Sequence, residues 1–445
     1  MNWEINYKNI MSKKEKITKK ESPQSLKGMR DIKSEEYYKY QGFFEKAQEI
    51  AVYYGFKPIE TPILEQEEVF TSSIGVGTDI VDKEMYTFRT KGGDHVAMRP
   101  EGTAGAVRAY IEHGMQSLPQ PVMLYYYGPF FRHDNPQKGR LRELRQFGFE
   151  IIGGEKSISD AMIIQLTYLT LQEAGAKNLI LDINSIGDKE CRGQYMKELT
   201  SYYNKHINQV CNICKQRVKT NPMRVLDCKD PKCAEVKEKA PDSVGALCDG
   251  CKKHFKEVLE YLEEMNLPYQ INKNLVRGLS YYTRTVFEIS EGTPKEGNEH
   301  GMTLAGGGRY DYFAKMLRSK KDIASVGVSI GVDRVVRSDW FNGLAPRIMK
   351  KPKIYFIQLG TEAKLKSLNI VEMLRKGKIP IEQSLSKDSL TTQLGIAEKL
   401  EIPYVILFGQ KEALENSVIV RHMANRSQDT VKIDKLLEYL KKHTR

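Results

Sequence analysis

A chain of 445 residues with 69 Lys and Arg against 57 Asp and Glu carries a formal net charge of +12, which fits a polyanionic partner such as RNA and equally a bias toward solubility. The length excludes a small module and divides into two or three domains, each able to bury a core. The apolar runs are too short to cross a bilayer and no apolar block suited to export opens the chain, so a membrane role is excluded and a cytoplasmic enzyme expected; seven cysteines then point to reduced thiols or a metal site.

Residues 1–25 are lysine-rich and polar, with no period that would bury a face, and predict a flexible basic tail. Ser34 to Tyr54 has helical spacing, with Tyr37, Tyr40, Phe43, Phe44, Ala47, Ile50 and Val52 on one broad stripe and Gly55 closing it. Phe56 to Glu65 reads as an extended edge strand, because Pro58 and Pro62 exclude a helix. Glu84 to Thr90 and His95 to Arg99 predict a hairpin around Lys91 to Asp94. A strand-to-helix junction at Arg99-Pro100-Glu101-Gly102-Thr103 follows, where backbone N–H groups are free and Thr103 is a possible cap. The next helix, Ala104 to His113, stops at Gly114.

Val122 to Arg132 and Arg145 to Ile152 are rich in aromatic and β-branched residues. The loop between them has turn chemistry at Asp134-Asn135-Pro136 and Lys138-Gly139, so the stretch is a long antiparallel hairpin. The two-residue period puts Gln146, Gly148 and Glu150 on one face and Phe147, Phe149 and Ile151 on the other. An unpartnered buried carboxylate is costly, so a polar floor of this kind suggests a ligand. Arg132, Lys138, Arg140, Arg142 and Arg145 form a cluster suited to phosphates; charge alone would also describe a solvated hairpin tip.

An apolar helix over Ser159 to Ala174 and a buried strand over Leu179 to Ile183 precede a change of character at about 188–267. There charge rises, strand signals vanish and the cysteines appear, as in an inserted helical domain. Cys211-x-x-Cys214 and Cys248-x-x-Cys251 are pairs of the kind that hold tetrahedral zinc, with Cys228 and Cys233 as further candidates. A structural zinc at Cys211, Cys214, Cys248 and Cys251 and metal-free cysteines both fit. Small Gly327, Ser329 and Gly331 share one strand face and leave room for a flat base or ribose, and Arg334 lies near a helix terminus suited to phosphate. A linker over 340–352 leads to alternating strands and helices, which predict a small α/β domain with a largely parallel sheet.

These stretches carry a resemblance. FRHDNPQKGRLRELRQFGFEIIG (131–153) resembles the second signature of class II aminoacyl-tRNA synthetases, in the form found in histidyl-tRNA synthetases. The long helix and proline-bearing strand resemble the first signature, and VGVSIGVDR (326–334) the third. MRPEGTAGAVRAY (98–110), LVRGLSYYTRTVFE (275–288) and LAGGGRYD (304–311) are similar to sequences specific to that histidine family, which has an aspartate where Ser280 stands here.

The resemblance implies an α+β catalytic core over 26–345 built on an antiparallel sheet. The insertion falls at 188–267 and an anticodon-binding domain at 352–445. It implies a homodimer that activates L-histidine with ATP and Mg2+ and transfers it to tRNA(His), with Arg132, Arg277 and Arg334 on the phosphates. No protein ligand to a catalytic metal is predicted. Neutral imidazole has one N–H donor and one acceptor nitrogen, so Glu150 and Tyr282 would flank it, Glu101, Thr103 and Gln146 would hold the α-amino end, and Tyr281 and Tyr310 would shape the walls. A polar pocket of this kind rejects unmatched analogues by about ten-thousandfold, which makes an editing domain unnecessary. The alternative is a catalytically silent, histidine-sensing regulatory subunit of histidine biosynthesis; such proteins generally lack the last domain and lose catalytic residues.

Overall fold

The computed structural model describes residues 22–75, 78, 80–135, 139–292, 300–341, 343–347, 352–387 and 389–443. Most of the expected basic tail, and Lys138 of the basic cluster, lie outside these residues. The chain divides into two compact units, Met1–Pro346 and Arg347–Arg445.

The first unit is organised on an eight-stranded sheet. Its strands in chain order are β1 (Lys57–Pro58), β2 (Val122–Phe131), β3 (Glu143–Ile152), β4 (Leu179–Ser185), β5 (Gln270–Ile271), β6 (Thr283–Gly292), β7 (His300–Arg309) and β8 (Ser325–Gly331). Their order across the sheet is β1-β2-β3-β8-β7-β6-β4-β5. The inner pairings are all antiparallel, and only the two-residue edge strands β1 and β5 pair parallel. The α+β, antiparallel-sheet class read from the sequence is therefore the observed one. Pro58 sits on the edge strand, where its missing N–H leaves no ladder bond unmade. A separate three-stranded sheet joins Leu64–Gln66 to the predicted hairpin, in which Phe88 faces Val96.

Helix α1 (Ser34–Tyr53) buries Tyr40, Phe43, Ala47 and Ile50, spaced three, four and three residues apart, against the apolar side of the sheet. Gly55, at φ +86°, ends it in a conformation that costs other residues more. Phe147, Phe149 and Ile151 of β3 meet α1 and α3 (Ser157–Glu173) in one apolar cluster. The opposite side of the sheet is left for chemistry. Between α1 and α3, α2 (Thr103–Glu112) follows the small sheet.

Residues between β4 and β5 form helices α4 (Lys189–Lys205), α5 (Asn212–Thr220) and α6 (Asp249–Glu264), with short helical turns between. Helix α6 packs on α3 through Phe255, Val258 and Leu262. The expected four-cysteine set is not one cluster. Cys211 and Cys214 gather with Cys228 and Cys233, whereas Cys248 and Cys251 gather with Asp188 and Cys191. The two Cys-x-x-Cys pairs begin different helices, α5 and α6, and each is completed by what its own helix packs against.

The second unit holds five strands, β9 (Ile354–Gln358), β10 (Ile381–Gln383), β11 (Tyr404–Phe408), β12 (Ser417–His422) and β13 (Gln428–Lys432), in the order β10-β9-β11-β12-β13. Two pairings are parallel and two antiparallel, so the sheet is mixed rather than largely parallel. Tight connections explain this: His422 N–H donates to Ser427 O at 3.0 Å, closing a turn that can only return an antiparallel neighbour. Helix Gln410–Glu415 and strand β13 are additions to the predicted pattern. Among the described residues no helix is long and apolar enough to cross a membrane.

Candidate active site

Register places one row of residues across the polar side of the sheet: Tyr126, Gly148, Ser329, Gly306 and Glu288, each facing the next on a neighbouring strand. A parallel row runs Glu150, Gly327, Gly308, Val286. Glycines within both rows keep the floor low. A Cβ at Gly306 would collide with the Arg277 guanidinium, and one at Gly327 with the Glu150 carboxylate. The small residues at 327, 329 and 331 lie on this face, as the period-two reading expects.

Glu150 is fully buried at the deep end. It accepts from the Thr103 hydroxyl at 2.8 Å and from the Tyr310 hydroxyl. Burial pushes its pKa up while those two donors pull it down, leaving it at about 8. Tyr310, expected in the wall, is thus the tyrosine bonded to this carboxylate. Tyr282 is buried between Tyr281, at 4.7 Å between ring centroids, and Arg277, whose Cζ is 5.9 Å from the ring.

Glu101 caps α2. Its two oxygens accept from Thr103 N–H and Ala104 N–H, both at 2.8 Å, and the Tyr281 hydroxyl lies 3.5 Å away. The cap is therefore Glu101 rather than Thr103, whose hydroxyl is taken by Glu150. Burial raises the Glu101 pKa against those helix N–H bonds. Gln146 is buried nearby with no hydrogen-bond partner for Oε1, and Ser329 Oγ is likewise unpartnered. Buried polar groups of this sort are ordinarily satisfied, and these two are left open on the polar side of the sheet. Tyr126, whose ring covers Gly148 and Gly102, is a site residue that sequence reasoning missed. Counting faces along β2 would have found it, since Tyr126 shares its side with Gly128 while Tyr125 and Tyr127 turn to the core.

At the other end the guanidiniums of Arg132, Arg277 and Arg334 converge. Arg132 Nε donates to Pro100 O at 2.8 Å, and Arg334 donates to Gly139 O at 3.1 Å and Thr303 O at 2.6 Å. Arg277 pairs with Glu288, has no partner for Nε, and lies over Gly306. Burial lowers the Arg334 pKa, and the charges of Arg132, Arg140 and Arg277 lower it further, against Glu288 alone. Burial would also lower Arg277, but Glu288 together with Tyr282 and Tyr281 outweighs it and the net shift is upward. The result is a local excess of positive charge, aimed along the sheet, with planar donors suited to phosphate. Arg142 lies apart from it, bonded to Asp134 O and covering Gly28.

A carboxylate-and-tyrosine pocket at one end and a guanidinium cluster at the other suit an amino acid joined to a nucleotide. The family model described as histidyl-tRNA synthetase matches residues 28–335, and that described as anticodon binding domain matches 353–443. The histidine--tRNA ligase of Thermodesulfovibrio yellowstonii is 42% identical over 94% of this chain and 98% of its own length. That of Dehalococcoides mccartyi is 39% identical over 94% and 99%. The chain belongs to the histidyl-tRNA synthetase family.

Among solved structures, the apo histidyl-tRNA synthetase of S. aureus aligns with a TM-score of 0.76 at 31% identity, covering 94% of this chain and all of that one. A Bacillus halodurans protein titled an ATP phosphoribosyltransferase regulatory subunit/histidyl-tRNA synthetase aligns at 0.60 with 20% identity, a likeness of fold alone. The two family models between them span both units of the chain.

Proposed function

We propose that this chain is an ATP-dependent ligase that forms histidyl-adenylate from L-histidine and then loads histidine onto tRNA(His). The observation that carries the reading is the buried Glu150, bonded to Tyr310 and Thr103, facing the same sheet surface as the convergent Arg132, Arg277 and Arg334.

Glu150, once ionised, accepts an imidazole N–H, and Tyr282 or Tyr310 donates to the other ring nitrogen. Gln146, Glu101 and Thr103 hold the α-amino group, with Glu101 fixed by its two helix N–H bonds. The histidine carboxylate then lies toward the α-phosphorus of ATP, where Arg132 and Arg277 neutralise charge as it grows. Arg277 stays ionised when buried, so no proton has to be managed there. Arg334 holds the phosphate tail, and Gly327, Ser329 and Gly331 receive the nucleoside. The protein supplies position and charge, and no side chain becomes a nucleophile.

Mg2+ supplies further charge neutralisation when it is bound with ATP. An ion that arrives on the nucleotide keeps most of its ligands from phosphate and water. The cysteine clusters of the insertion take no part in this chemistry.

The residues with first-signature resemblance leave Tyr37, Val52, Tyr53, Ile63 and Leu64 exposed. An apolar face of this kind supports a homodimer formed through α1 and the strand after it. The site of action is the cytoplasm, where tRNA is charged. Arg277, Arg334 and a complete second unit speak against the silent regulatory subunit. Histidine-dependent exchange of pyrophosphate into ATP, followed by charging of tRNA(His), tests the reading. Histidine binding without either activity would replace it with the sensor.

A further inference from the structure

The two cysteine clusters of the insertion have geometry that the ligase reaction does not need. In the first, Cys211, Cys214, Cys228 and Cys233 are spaced by two, thirteen and four residues. Their sulfur atoms all lie within 4.8 Å of one another, and Cys211 Sγ is 3.9 Å from Cys228 Sγ. A disulfide would bring two of them to about 2.05 Å, and all seven cysteines are free. Four thiolates around a zinc with Zn–S bonds of about 2.3 Å form a tetrahedron with edges near 3.8 Å, which the 3.9 Å separation of Cys211 and Cys228 matches and the 4.8 Å limit on the rest approaches. Backbone N–H groups already point at the sulfurs: Cys211 N–H donates to Cys233 Sγ at 3.2 Å and Asp230 N–H to Cys228 Sγ at 3.5 Å. Such outer donors stabilise thiolate ligands.

The second cluster rests on a separate observation. Cys191 and Cys248 lie 3.7 Å and 4.0 Å from Asp188 Oδ1, and Cys251 completes the group. A tetrahedral zinc bound by one carboxylate oxygen and three sulfurs requires O···S edges of about 3.5 Å. Asp188 Oδ2 is oriented by Arg284 Nη2 at 3.1 Å, and Oδ1 also accepts from Glu190 N–H at 3.0 Å. The guanidinium would offset part of the negative charge that three thiolates and a carboxylate leave on a divalent ion.

The geometry points to two independent structural zinc ions in the insertion, one held by Cys211, Cys214, Cys228 and Cys233 and the other by Asp188, Cys191, Cys248 and Cys251. Their places differ. Asp188 and Cys191 open α4 directly after β4, while Cys248 and Cys251 open α6, so the second ion clamps the chain's departure from the sheet to its return. Arg192, beside Cys191, donates to Tyr282 O at 2.8 Å, which ties that clamp to the pocket wall. The first ion fixes α5 to the short turns that follow it, inside an apolar cluster that also contains Tyr281 and Tyr310.

The full chain, purified under reducing conditions without chelator and dialysed against Zn2+, then metal-free buffer, is expected to retain two zinc per chain by elemental mass spectrometry. Cys228→Ser and Cys248→Ser should each retain one, and Co2+ substitution should give the intense visible bands of a tetrahedral thiolate site in both variants. One zinc, lost in C228S and kept in C248S, would support the first site and overturn the second; the converse pattern would do the reverse. Less than about 0.2 zinc per wild-type chain, with seven thiols titrating freely in the folded protein, would overturn both.

Discussion

Arg309, fully buried, and Arg277, with 19% of its side chain exposed, both lie over the same sheet, and their surroundings give them opposite work. Arg309 is wholly enclosed. Its Nε faces both oxygens of Asp160 at 3.2 Å and 3.1 Å, Nη1 donates to Asp311 at 3.0 Å and Gly154 O at 2.8 Å, and Nη2 reaches Asp160 and Lys156 O. His254 of α6 meets the same Asp160 at 3.3 Å. Every donor is spent on the protein. Arg277 has one carboxylate, an unpartnered Nε and a cationic neighbour in Arg334. A buried charge that is fully satisfied holds elements together, whereas one left partly unmatched beside a like charge is open to an anion.

That contrast can be tested by removal. Arg309→Met should cost the largest amount, about 3–5 kcal/mol of unfolding free energy, because Asp160 is left as an uncompensated buried charge. Urea titration of the first unit would measure it, and a loss below about 1 kcal/mol would show that the network is not structural. Asp160→Leu combined with Arg309→Met should recover part of the loss.

Arg277→Ala should do the opposite, lowering histidine-dependent pyrophosphate exchange by about 10²–10³-fold while histidine affinity and unfolding midpoint change little. Preserved exchange would remove Arg277 from the phosphate site.

Glu150→Gln falls between the two kinds of effect. Histidine affinity by calorimetry should fall about a hundredfold, since an amide cannot supply the ionic acceptor. Stability should move the other way as pH rises. A carboxyl whose folded pKa is near 8 against about 4.5 unfolded favours the folded state fully only below pH 4.5, and that contribution is lost as pH climbs to 8. The variant lacks this loss. Its melting temperature relative to wild type, without ligand, should therefore rise between pH 5 and pH 8; a flat difference would show that Glu150 is ionised throughout.

The smallest change is expected at Arg140, which is 44% exposed and already paired with Asp134 at 2.8 Å. Arg140→Ala should raise the ATP concentration needed for half-maximal exchange less than tenfold, and less still at high salt. An effect as large as that of Arg277 would mean that exposure does not separate the two.

Much of the site was legible in the chain because it depends on periods and local chemistry. The period of two along β3 alone separated Gln146 and Glu150 from Phe147 and Phe149, and the proline and glycine positions placed the hairpins. Pairing partners were harder. Nothing local says that Tyr310 rather than Tyr282 reaches Glu150, since Tyr310 follows β7 and Tyr282 precedes β6, and only the order of strands in the sheet decides which hydroxyl arrives. The parallel fraction of the second unit was misjudged for the same reason, because strand direction depends on how short each connection is.

The sequence by itself determined the family, the α+β class, the polar and apolar faces of β3 and the arginines that could serve phosphate, since each follows from residue type and near-neighbour spacing. Tertiary structure alone decided which charges were spent and which left open, that Thr103 turns to Glu150, and that the cysteines divide into two groups instead of one. Those outcomes depend on distances between residues tens to hundreds of positions apart, which are set when helices and strands pack.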